Sequence, residues 1–155
     1  LVRKVVADLE LDYAAPAPGS PERSLREALV EPTLIYVNSC LQSIRHGGGH
    51  AMAHITGGGL PENMPRVLPE GLAANVDASA WQRPPVFEWL AKAGEVPVDD
   101  LYRTFNAGVG MVLVVDPDAE AALTTLLQQA GETVFRIGEI ERSGSSAFRL
   151  EGLAS

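Results

Sequence analysis

The chain of 155 residues has one cysteine, Cys40, so it can form no internal disulfide, and the default compartment is a reducing, cytoplasmic one. It is short of positive charge: 12 Lys and Arg face 20 Asp and Glu, for a net charge of −8. That balance argues against a nucleic-acid or anionic-membrane surface; a bound phosphate would need a local device of backbone N–H groups and one or two arginines. No apolar run approaches the ~20 residues of a membrane span, and no signal peptide opens the chain. No Gly-x-Ser-x-Gly elbow is present, and Cys40 falls within a helical pattern, so serine-hydrolase and thiol chemistry are unsupported. Initiator Met and N-cap residue are both missing before Val2, Val5, Val6 and Leu9, whose spacing predicts an amphipathic helix from the first residue. The expectation is a fragment or processed piece of a longer protein.

What is present is a globular composition, 46% hydrophobic and 21% charged, suited to one domain with a real core. The chain turns on His50 to Arg66. Ala51 to Ile55 reads as a buried strand, Thr56 and Gly57, Gly58 and Gly59 as a turn, and Leu60-Pro-Glu-Asn63 as the first turn of a helix with Pro61 at its first position. Strand, glycine turn and helix start together offer bare N–H groups to an anion. The same glycines serve equally as a tight turn requiring positive φ. His46, His50 and His54 recur every fourth residue. In a strand that spacing spans ~13 Å, too far to share a zinc ion, and no metal site is expected.

Elsewhere, Asp12 to Pro21 reads as a loop, and Ser24 with Glu27 as a capping box for a short helix ended by Pro32. Thr33 to Val37 reads as a short strand, followed by a helix capped at Asn38 or Ser39 with Cys40, Leu41 and Ile44 inward. Leu72 to Val76 is a strand; Pro84-Pro85 opens a helix closed by Gly94, and Val98 to Thr104 is another. Phe105 to Gly110 is a second small-residue turn. It runs into Met111 to Val115, read as a central strand buried on both faces. Asp116-Pro117 caps a helix with Ala119, Ala122, Leu123, Leu126, Leu127 and Ala130 inward, ended by Gly131. Thr133 to Ile140 and Ala147 to Leu150 are strands, the latter at an edge, joined by a turn over residues 143–146. Both glycine turns join buried strands and are expected near each other at one sheet edge, with Arg66 and Arg103 close by. A lone histidine such as His54 is more often a hydrogen-bonded core residue than a catalyst. Trp81, Trp89 and Tyr102 are read as core or interface rings.

The stretches Ser24 to Val37, His50 to Gly71, Trp81 to Leu90 and Tyr102 to Met111 closely resemble phosphoribosylformylglycinamidine cyclo-ligase (aminoimidazole ribonucleotide synthetase) of purine synthesis, in order and without large gaps. Gly47-Gly48-Gly49 departs from relatives in a connection. The resemblance implies an α+β fold, a mixed β-sheet flanked by helices in α/β/α layers and partly ferredoxin-like. It implies that residues 1–155 form the C-terminal domain of a two-domain enzyme. The absent N-terminal domain would bind ATP and Mg and form most of a homodimer interface. The implied reaction phosphorylates the formyl (amide) oxygen of formylglycinamidine ribonucleotide, after which the amidine nitrogen closes the imidazole ring. His54 would move a proton or orient substrate, while Gly57, Gly58 and Gly59 would bind a phosphate. Thr56, Asn63, Arg66, Asn106 and Gly108 would support the same pocket. The alternatives are a stand-alone, non-catalytic ligand-binding domain and a related thiamine-phosphate-kinase-like or selenophosphate-synthetase-like enzyme, which the purine-type motifs disfavour.

Overall fold

The computed structural model describes residues 1–144 and 146–153. In chain order it contains α1 (Val2–Asp8), β1 (Pro16–Ala17), β2 (Ser20–Ser24), α2 (Leu25–Leu29), α3 (Val37–His46), β3 (Gly49–His54), α4 (Gly59–Asn63), β4 (Leu72–Asp77), α5 (Pro85–Ala93), α6 (Val98–Thr104), β5 (Met111–Val115), α7 (Glu120–Gln129), β6 (Gly138–Arg142) and β7 (Phe148–Glu151). The class is α+β. The strands form a β1–β2 hairpin, an antiparallel β3–β5 pair, and a mixed sheet β6–β4–β7 in which β4 runs antiparallel to β6 and parallel to β7. One apolar cluster joins the two larger sheets. Ala53, Ile55 and Val112 from the β3–β5 side meet Ala74 and Val76 of β4, with Leu60, Met64, Trp81, Tyr102 and Val109 between them.

Some signals that act over a few residues are realised. The Ser24 N–H donates to Glu27 at 2.8 Å while the Glu27 N–H donates back to Ser24 Oγ at 3.3 Å, fixing the start of α2. Pro85 occupies the first turn of α5, Gly94 caps its end, and Gly131 closes the segment after α7 with φ +93.

Readings that depended on distant partners change. The region read as a loop holds the β1–β2 hairpin. Thr33 to Val37 is not a strand, because no strand pairs with it among the described residues; Leu34 and Ile35 are 66% and 84% exposed, and Val37 already belongs to α3. Helix α3 starts from Tyr36 without a side-chain cap, and it is rotated relative to the expectation. Ser39 and Ser43 are buried, while Leu41 and Ile44 are 42% and 63% exposed. Polar bonding sets that rotation: Ser39 donates to Glu132, after α7, and Ser43 Oγ donates to the Ser39 carbonyl at 3.0 Å. Strand β5 pairs only with β3 among the described residues and is half-buried apart from Val112, so it is not central. In α7 only Leu123 is buried, and Ala122 and Ala130 are exposed. The 3-10 turn Pro117–Ala119 precedes that helix, and the Asp116 side chain pairs with His50 instead of capping it. The strand expected from Thr133 begins only at Gly138, since β4 ends at Asp77, whose carboxylate caps the 3-10 turn Ala78–Ala80. The turn read over 143–146 includes Ser145, which lies outside the described residues.

Candidate functional site

The register of β3 against β5 brings the two glycine turns together. His54, the last residue of β3, stands opposite Met111, the first of β5, and the Ile55 N–H donates to the Gly110 carbonyl at 2.9 Å. The first turn therefore leaves the sheet where the second enters it. Contact continues beyond the strands. Gly59 has φ +57, and a β-carbon there would sit 1.7 Å from the Tyr102 carbonyl oxygen and 2.8 Å from that of Phe105. The start of α4 thus lies directly on the backbone at the end of α6, and only glycine allows that approach.

Polar side chains brace this junction from within. Asn63 is buried; its Nδ2 donates to the carbonyls of Gly59 at 2.8 Å and Gly57 at 3.2 Å. Its Oδ1 accepts from Arg66 at 3.2 Å, and Arg66 also lies 3.6 Å from Glu62. In the second turn, Asn106 Oδ1 accepts the Gly108 N–H at 3.1 Å, and Trp81 Nε1 donates to the Ala107 carbonyl at 3.0 Å. Asn63, Arg66 and Asn106 are occupied in shaping the turns, which spacing alone did not reveal.

The outer face of the junction differs. His54, Thr56, Gly57 and Gly108 are exposed. The N–H groups of Gly57 and Gly58 have no acceptor among the described residues, and a β-carbon on Gly57 would meet nothing within 4 Å. Helix α4 begins at Gly59 with Gly58 as its left-handed N-cap, so Pro61 is its third residue rather than its first. With only five residues α4 adds little dipole, and any anion here would be held chiefly by free N–H groups. His54 is not a core histidine. It has no hydrogen bond among the described residues, and its one ring neighbour is Tyr36, edge-on at 6.3 Å. Arg103, exposed at the end of α6, has no ion pair among the described residues.

Tyr36 was not singled out from the sequence. Its hydroxyl lies over Gly110, where an added β-carbon would come within 2.0 Å of it. Gly110 has no left-handed φ, so it is glycine for space, and an unexplained second glycine in Gly108-Val-Gly110 was the available signal. Burial pushes the Tyr36 phenol above its ordinary range, and the Glu132 carboxylate adds to the rise; the same two causes, in that order, raise the Cys40 thiol. Burial also raises Tyr102, against the opposing pull of Arg83, whose guanidinium sits 5.8 Å over the ring.

The other candidates lie apart. His50, near the opposite end of β3 from His54, pairs with Asp116 at 2.7 Å, and His46 ends α3. Among the described residues no three His, Cys, Asp or Glu side chains gather as a metal-ligand set. Two surface depressions, of about 290 Å³ around Asn75 and Arg136 and about 580 Å³ around His46 and Asp118, are lined by neither glycine turn. No helix among the described residues is long and apolar enough to cross a membrane. Over nearly the whole chain, residues 1–151 match the family described as AIR synthase related protein, C-terminal domain, and the chain belongs to that family.

Proposed function

We propose that this domain is the C-terminal half of an ATP-dependent cyclo-ligase that converts formylglycinamidine ribonucleotide to aminoimidazole ribonucleotide. The observation that carries the reading is the junction itself. Two turns carrying purine-type motifs meet at one end of the β3–β5 pair, and that end carries both free N–H groups and an exposed imidazole. On this reading the Gly57 and Gly58 N–H groups, with the Thr56 hydroxyl and the exposed edge at Gly108, receive a phosphate oxygen of the substrate. His54 moves a proton at, or orients, the amidine nitrogen as it attacks. Asn63, Arg66 and Asn106 keep the turns in shape. ATP and magnesium belong to a companion N-terminal domain, in a cytoplasmic homodimer. Holding nitrogen and activated carbon at attack distance is this domain's share of the catalysis.

The test is a ring-closure assay with ATP, magnesium and formylglycinamidine ribonucleotide. The 155-residue chain alone should form no product, and the domain joined to an ATP-binding half should be active. In that active form His54→Ala should lower kcat by about 100-fold with a much smaller change in KM. Turnover by the isolated chain would refute the division of labour. Wild-type kcat for His54→Ala would remove the histidine from the chemistry. A domain that binds the ribonucleotide but is inactive in every context would instead be a non-catalytic binding module.

A further inference from the structure

We propose that Tyr36 is a ligand-contacting residue of the junction, its phenolic hydroxyl donating a hydrogen bond to a phosphoryl oxygen of a phosphate monoester held between the two turns. This rests on the reading of the junction as a ligand site and adds a residue that neither the motifs nor the spacing pointed to.

Three observations converge on it. First, the ring is placed by the fold: Tyr36 is the N-cap residue of α3, and its hydroxyl is laid onto the bare backbone of Gly110. Any side chain at 110 would displace it. Gly110 is also the residue whose carbonyl accepts the Ile55 N–H, so the hydroxyl sits where the turns meet. Second, the same ring stands edge-on to the exposed His54 imidazole, at 6.3 Å and 66° between planes. The two side chains therefore share one rim. Third, the Tyr36 hydroxyl has no hydrogen-bond partner among the described residues and is not shut off from solvent, so its proton is available to a ligand. A donor placed over Gly110, at the junction whose first turn carries the free N–H groups of Gly57 and Gly58, suits an oxygen-rich anion. Like any tyrosine phenol it is protonated, and hence a donor, at neutral pH.

The experiment titrates inorganic phosphate and ribose 5-phosphate into the ¹⁵N-labelled chain and follows the amide signals of Gly57, Gly58, Gly108 and Gly110. Wild type should show saturable shifts with both probes, the monoester binding at least as tightly. Tyr36→Phe keeps the ring over Gly110 and should weaken both by about fivefold, while leaving the His54 ring signals in place. Tyr36→Ala should weaken binding at least as much and also move the His54 signals. Wild-type affinity in Tyr36→Phe would overturn the contact while leaving the junction a ligand site. Binding of inorganic phosphate but not of ribose 5-phosphate would overturn the monoester assignment. No saturable shift in wild type with either probe would overturn the junction as a site, and this inference with it.

Discussion

Gly57, Gly58 and Gly59 are chemically identical neighbours in three different situations. Gly59 is required by the fold, because its backbone touches that of Tyr102 and its φ is positive. Gly58 is left-handed, and a β-carbon there would run into the Glu62 side chain, so a substitution at 58 perturbs the turn as well as any ligand. Gly57 faces open space without a left-handed φ. The clean probe of ligand binding is therefore Gly57→Ala. It should melt close to wild type yet weaken phosphate binding, since the new methyl group occupies the approach to the free N–H groups. Gly59→Ala should lose roughly 1–3 kcal/mol of stability or fail to fold. Thermal unfolding paired with a phosphate titration checks both, and a Gly57→Ala variant that binds normally would make the triple glycine a turn and nothing more. The glycines were legible in the sequence as a turn of unusual openness, but their separate duties were not. Those depend on α6 and on the direction of the Asn63 amide, which spacing does not encode.

At the scale of elements, the start of α2 shows a local rule carrying a measurable charge effect. The backbone and side-chain hydrogen bonds from Ser24 hold the Glu27 carboxyl below its ordinary pKa. A group depressed in the folded state contributes stability that is present above its unfolded pKa and lost as pH falls through the folded value. Glu27→Gln should thus be less stable than wild type near neutral pH and show a smaller loss on acidification from about pH 7 to about pH 3. Asp77, depressed by its bonds to Ser79, retains its own share of the acid loss. Melting temperatures across that range decide it, and parallel curves for the two proteins would contradict the cap's role. Helix α3 shows the opposite limit of legibility. Its 3.6-residue pattern correctly marks a helix, but the face turned inward is set by the Ser39–Glu132 bond across 93 residues of sequence. An apolar-inward assumption consequently placed Leu41 and Ile44 on the wrong side. The Thr33–Val37 run failed for a related reason: β-branched composition creates a strand only where another strand offers an edge.

For the whole molecule, the surface is larger than its mass calls for. The chain exposes 9581 Å² at 16.5 kDa, whereas a folded monomer of that mass exposes about 7,600 Å². The difference exceeds the roughly 800 Å² that each partner contributes to a stable interface. Helix α1 turns Val5 and Val6 inward and packs on α5, while Leu1 and Leu9 at its ends stay exposed. The densest run of exposed apolar residues in the sequence goes from Leu34 and Ile35 through Val37, Leu41 and Ile44. The isolated chain should self-associate through that face, and Leu41→Gln with Ile44→Gln should suppress it without unfolding. Light scattering over a concentration series tests this, and a strictly monomeric wild type at high concentration would refute it. The central claim, that the β3–β5 end is where the substrate sits, is tested most directly by hydrogen-exchange mass spectrometry of the chain with and without formylglycinamidine ribonucleotide. The account predicts slowed exchange in segments 54–59 and 106–111. Protection confined to the depression around Asn75, Arg136 and Gly138, or none at saturating ligand, would contradict it.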